Sequence, residues 1–222
     1  MLRFAQHRRG LRGIAMVEFQ IVALLGMFPL FLGGLQVLLL LMASHVVQYA
    51  TFEAARAGAM NGADPSVMRR ALAVGLLPLH ATTAADITSG NAVAITTAAY
   101  GRSFAAILAF AAIDILNPSA AAFADFATEG PEGRAIRNDS LQYRPIEAGE
   151  RSGRSIQDAN LLRIQVRYCH PLQVPFVSQF LIGVLRQLAS DPAVQRCYAA
   201  GRVPLVAEAV VNMQSDVRFH AE

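Results

Sequence analysis

The chain has 222 residues, 54% of them hydrophobic, and a formal charge of +3 from 19 basic and 16 acidic residues. Four of the basic residues, Arg3, Arg8, Arg9 and Arg12, fall before position 13, which leaves 19 − 4 = 15 basic against 16 acidic in the remainder. The later arginines are scattered and not interleaved with aromatics, so the charge gives no electrostatic footprint for nucleic acid. Every basic residue is arginine and none is lysine, a bias that nothing in the sequence explains.

The apolar content is concentrated near the start. Residues 19–44 carry no charge, and only Gln20 and Gln36 interrupt the run as strongly polar side chains. A buried core helix of that length would show a polar stripe, whereas a run of about 20 apolar residues is what a bilayer requires. The pattern predicts a transmembrane helix over residues 19–43. Arg3, His7, Arg8, Arg9 and Arg12 precede it and Glu53 and Asp64 follow it, which predicts a cytoplasmic N-terminus and an exported remainder. The apolar region is too long for an ordinary signal peptide, and no small-residue cleavage site follows it.

Glu18 stands at the head of this run. A carboxylate deep in a membrane helix costs roughly 2.5 to 3.5 kcal/mol, less towards the interface, so its presence asks for a reason. Gly13 lies five residues before it, at the end of a basic leader over residues 1–13. The spacing from Gly13 to Glu18 resembles the prepilin class, in which a membrane peptidase cuts after the leader glycine. By that resemblance, cutting between Gly13 and Ile14 frees an ammonium group that pairs with Glu18 of a neighbouring subunit and offsets the burial of both charges. More narrowly, Arg12-Gly13-Ile14-Ala15-Met16-Val17-Glu18-Phe19 and Ala54-Ala55-Arg56-Ala57-Gly58-Ala59 resemble the opening and the end of the short module of the TadE-like family, proteins of tight-adherence or Flp pilus assembly. The module would cover residues 14–60, with Ala55, Arg56 and Gly58 in its closing stretch. Two departures are Gln20 in place of a small apolar residue and a late proline, Pro29, which predicts a helix kink.

Beyond the span, residues 44–60 keep helical spacing and predict a stalk ending at Asn61-Gly62. Asp64-Pro65 reads as a helix N-cap and first turn, with Pro78 as the stop. Residues 81–98 are rich in Ala and Thr, and Val93-Ala94-Ile95 suggests a short strand. Residues 104–116 read as a core helix, too short to be a second span. Residues 129–158 are polar and aperiodic and predict a long surface loop. Residues 162–168 alternate strictly and predict a half-buried strand, residues 176–188 a helix and residues 203–212 a second strand. Together these imply an α+β exported domain over residues 61–222, with helices on a small antiparallel sheet.

Cys169 and Cys197 can pair in an oxidising compartment, a loop of nearly 30 residues worth roughly 3 to 4 kcal/mol; two buried free thiols are the alternative. The five histidines show no metal-ligand spacing, and no nucleophile, phosphate-loop or dinucleotide motif occurs. His170 beside Cys169 would point to the opposite strand face. No cofactor, metal or catalytic residue is therefore expected. The family resemblance implies a TadE-like pseudopilin of the bacterial inner membrane, single-pass, with a periplasmic C-terminal domain. Its partners would be a prepilin peptidase, other pilins or pseudopilins, and an inner-membrane assembly platform. The alternative is an uncleaved signal-anchored envelope or secretion-complex subunit with a periplasmic binding domain; a third reading is an anchored periplasmic enzyme.

Overall fold

A computed structural model describes residues 11–80, 91–130 and 133–218. Residues 1–10 of the expected leader, residues 81–90 of the Ala/Thr-rich stretch, Pro131, Glu132 and His220 lie outside them. The fold is α+β: a long apolar helix over residues 16–60 leads into helices and small antiparallel sheets. The chain divides into two compact units.

The first unit comprises residues 1–41 and 171–202. It holds α1 (Leu11–Val22), a π-helical turn (Ala23–Met27) and the start of α2 (Phe28–Met60), together with α8 (Val177–Leu188) and α9 (Pro192–Ala199). The π turn has a local cause. Pro29 offers no N–H to the Leu25 carbonyl and its ring crowds that oxygen, and the helix responds by widening, with the Phe28 N–H donating to the Ala23 carbonyl five residues back. The disturbance expected at Pro29 thus takes the form of a π turn just upstream of it. α9 opens on Asp191, whose carboxylate accepts from the Ala193 N–H at 2.8 Å, with Pro192 at the first position.

The second unit comprises residues 42–170 and 203–222. Residues 43–60 of α2 do not form a free stalk: Val47, Ala50, Thr51, Ala54, Ala55 and Ala59 are buried in this unit's core. α3 (Pro65–Gly75) starts at the Asp64 side chain, which accepts from the Ser66 N–H at 2.7 Å. α3 ends at Gly75, shortly before Pro78 as expected; Pro78 itself lies inside the short α4 (Leu77–His80), where an early helical position tolerates its missing N–H.

Next come α5 (Ala92–Phe110) and β1 (Ala111–Asn117), and here the structure corrects the sequence. Val93, Ala94 and Ile95 are helical, not a strand, because the Asn91 side chain caps Val93 and Ala94 and the Thr96 and Thr97 hydroxyls bond back to the preceding turn. Conversely, the expected core helix over 104–116 ends at Phe110, and residues 111–117 pair antiparallel with β4 (Leu161–Pro171), Ala111 opposite Tyr168 and Ile115 opposite Ile164. A short apolar run suits either state, and the β4 edge decides it.

β4 is the middle strand of the first sheet, between β1 and β5 (Arg202–Asn212). Its alternation is as expected: Leu162, Ile164, Val166 and Tyr168 are fully buried, while Arg163 and Gln165 turn outward to hold Glu208 at 2.6 and 2.8 Å. Those two donors, Arg163 first, keep the Glu208 carboxyl below its ordinary range. The second sheet joins β2 (Thr128–Gly130), β3 (Gly133–Ile136) and β6 (Val217–Arg218).

The polar stretch over 129–158 is therefore not one loop. Beyond the β2–β3 hairpin it carries a 3₁₀ turn (Leu141–Tyr143) and α7 (Ile156–Ala159), while α6 (Ala120–Phe126) precedes it. It is fastened from outside by Asp125, whose carboxylate accepts the N–H groups of Arg151 and Ser152 and is held below its ordinary range, foremost by the Ser152 side chain. Arg154 reaches the Asn117 amide oxygen at 2.6 Å.

Helix packing in this unit is set by contacts too close for a side chain. A Cβ built on Gly75 would lie 2.5 Å from the Ala50 Cα, so Gly75→Ala forces α3 away from α2 and should cost roughly 1 to 3 kcal/mol. Gly101, in α5, has open space around its Cβ position, and Gly101→Ala should stabilise by roughly 0.5 to 1 kcal/mol. Thermal unfolding of the two purified variants checks the pair; a Gly75→Ala protein as stable as the parent would contradict the packing.

Candidate functional site

Three groups of residues carry the sequence expectations: the head of the apolar helix, the small-residue stretch of α2, and the two cysteines.

Gly13 and Ile14 lie in the first turns of α1. Glu18 is exposed one helical turn after Ile14, and Phe19 beside it is 70% exposed. Among the described residues Glu18 has no ion-pair partner. The helix that follows is apolar on every side and bare: Leu24, Leu25, Leu30 and Phe31 are all exposed, Leu30 to 78%. An apolar surface of this extent marks a site meant for something other than water.

Gln36 is the exception, and it explains why an amide was left in an apolar run. The side chain is 1% exposed, and its Oε1 accepts the Val174 N–H at 2.8 Å within the same unit. Val174 itself is buried. The sequence displayed this residue as an interruption but not its role.

The family-like stretch Ala54-Ala55-Arg56-Ala57-Gly58-Ala59 is a packing surface. Ala54, Ala55 and Ala59 are buried, and a Cβ on Gly58 would meet Met68 Sδ at 2.7 Å and Leu162 Cδ2 at 3.1 Å. Small side chains let α2 approach α3 and β4 together, while Arg56 points to solvent. The helix end just beyond is tied down by the far end of the chain. The Ala59 carbonyl accepts from the Gln214 N–H and the Ser215 hydroxyl, both at 3.0 Å, and Ser215 Oγ accepts the Gly62 N–H at 2.8 Å. Gly62, at φ +65°, supplies the left-handed turn that ends the helix as expected.

Cys169 and Cys197 are both disulfide-bonded, and neither is a free thiol. The alternative of two buried thiols is excluded, and so is a Cys169 nucleophile served by His170. In the second unit a cavity of about 390 Å³ is lined by Met68, Ile113 and Phe123 with Arg69, Asp114 and Arg218 at its polar side. Among the described residues its lining holds no Ser, Cys, His or Tyr side chain. Among the described residues no group of three or more His, Cys, Asp or Glu side chains is placed to hold a metal ion.

Comparison with known proteins gives no match to this chain among protein-family models, curated proteins or solved structures.

The Gln36 contact makes a testable demand. Gln36→Leu raises the hydropathy of the run yet leaves the buried Val174 N–H without an acceptor, a loss of roughly 1 to 3 kcal/mol. Amide hydrogen exchange at Val174 should quicken in that variant while exchange in β4 is unchanged; an unchanged rate at Val174 would show that the hydrogen bond holds nothing.

Proposed function

We propose that the chain is a TadE-like pseudopilin: a minor, prepilin-like subunit that is processed after Gly13 and assists assembly of a Flp or tight-adherence type IV pilus. The observation that carries the reading is the exposed Glu18 at the head of a bare apolar helix, five residues after Gly13 and one turn after Ile14. A carboxylate in that position is costly in a bilayer unless a cation meets it, and the α-ammonium group released on Ile14 of an adjacent subunit is such a cation. The pair fixes the axial register of two helices that otherwise offer only sliding apolar faces.

In this reading the helix crosses the bacterial inner membrane once, with Arg3, Arg8, Arg9 and Arg12 on the cytoplasmic side and the second unit in the periplasm, where a disulfide persists. Two supports are independent of the N-terminal motif. Residues 16–60 form a helix long and apolar enough to cross a membrane, and the Ala54–Ala59 stretch, which resembles the family's closing module, is the surface on which the folded unit packs. The partners are a prepilin peptidase, other pilins or pseudopilins, and an inner-membrane assembly platform. The protein acts as substrate and scaffold, with no chemistry of its own.

N-terminal sequencing of the membrane-extracted protein, from cells with and without the prepilin peptidase, tests the proposal. A chain that begins at Ile14 only when the peptidase is present is the expected result. A chain that keeps Met1 or Leu2 in both strains would replace the proposal with an uncleaved signal-anchored envelope or secretion-complex subunit. In the processed protein, Glu18→Ala should leave cleavage intact and reduce piliation; normal piliation would remove Glu18 from the assembly role.

A further inference from the structure

α8 leaves an apolar row uncovered. Phe176, immediately before it, is 81% exposed, Phe180 75% and Leu188 76%, and Val184 lies between them at the same four-residue spacing, so the four form one stripe. On the adjoining side of the helix Val177, Leu181, Leu185 and Ile182 are half-buried together with Ser178, and the exposed polar side chains of Gln179, Arg186 and Gln187 share the remaining arc. This is a helix with an apolar half and a polar half, yet much of the apolar half stays exposed among the described residues.

Within the first unit, α8 shares an apolar groove of about 580 Å³ with the long helix, lined by Phe28, Leu32, Gly33, Val37, Phe180 and Leu181. The hydrogen bond from Val174 to Gln36 fastens the approach to it. Depth then follows from arithmetic. A span entering the hydrocarbon at Phe19 needs about 20 residues to cross some 30 Å, so it leaves near Leu38. The groove at residues 28–37 lies in the outer part of that path, and α8, with 12 residues, is about 18 Å long and too short to cross by itself.

We infer that α8 is a second lipid-contacting element, an amphipathic helix seated in the outer leaflet beside the span, with Phe176, Phe180, Val184 and Leu188 among acyl chains. The inference rests on the membrane span proposed above. Lipid is the occupant because the exposed row is continuous with the apolar surface of the span and lies at its depth, where the surrounding medium is hydrocarbon. The polar arc fits the same placement: Arg186 and Gln179, on one face of the helix, can reach headgroups while the stripe stays below them. The Gln36 amide also receives its purpose, since it satisfies a backbone N–H that has no water to turn to at that level. An element of this kind fixes how far the long helix can slide through the membrane.

The protein contains no tryptophan, which makes a single inserted indole an unambiguous probe. Phe180→Trp, Phe31→Trp on the span and Tyr143→Trp in the second unit, each in the full chain, are reconstituted into phosphatidylcholine and phosphatidylglycerol vesicles with and without acyl-chain bromine. The expected result is blue-shifted emission for Phe180→Trp and Phe31→Trp, each losing about half its intensity to the brominated lipid as for a group buried among acyl chains, with Tyr143→Trp unaffected. If Phe31→Trp is quenched while Phe180→Trp is not, the inference falls and the span stands; a blue-shifted but unquenched Phe180→Trp means that protein covers the row, and the inference falls in that case too. If neither is quenched, the span reading fails and takes the inference with it.

Discussion

Everything in the second unit depends on how closely α2 can approach its neighbours. At Ala50 the backbone of α2 lies so near Gly75 that no side chain fits between them, and at Gly58 the helix surface meets Met68 and Leu162 directly. Alanine and glycine at these positions give up side-chain burial and gain proximity: the large residues Met68, Leu72, Leu162, Ile164 and Tyr168 share one core with a helix that contributes mostly methyl groups. Dense packing of that kind resists even one added methylene. The unit is thus assembled around the last five turns of the helix, and the bend between β5 and β6 completes the arrangement by capping the helix end through Gln214 and Ser215.

The same helix carries a different composition before residue 41. There Leu, Phe and Met side chains stand exposed, no charged residue follows Glu18 until Glu53, and the only amide beyond Gln20 is taken up by Val174. One continuous element therefore presents two surfaces, a bare apolar one suited to hydrocarbon and a small-residue one suited to a protein core. That division of labour is what the proposed anchored subunit needs: one stretch of the helix suits hydrocarbon and the other a folded core. The proposed Glu18 pairing acts at the head of the apolar stretch, where the carboxylate is exposed.

Much of this was legible where a residue pattern has a single physical reading. The uncharged run, the Asp64-Pro65 helix start, the alternation of β4 and the glycine stop at Gly62 each follow from local rules. Asp191-Pro192 carries the same signature as Asp64-Pro65 and caps α9, so the start of that helix is also written in the residues. Other features were hidden for a physical reason. Residues 104–116 are apolar throughout, and only the antiparallel register with β4 makes the last seven a strand after Phe110. Asn91 was legible as a cap only once α5 was known to begin beside it. The polar stretch over 129–158 looks formless because its order comes from distant partners, Asp125, Asn117 and the β6 edge, rather than from its own periodicity. Of the functional residues, Gln36 and the Phe176–Phe180 row were visible as types; what they touch was not.

The central claim is that one helix serves as both membrane anchor and domain core, with the second unit outside the cytoplasm. Protease added to intact spheroplasts tests it most directly, after Gly75→Leu is introduced to loosen the second unit enough for cleavage. The account predicts that the C-terminal unit is digested while a membrane-embedded fragment containing the apolar helix survives. Survival of the full chain in intact spheroplasts, with digestion only after the membrane is opened, would contradict it.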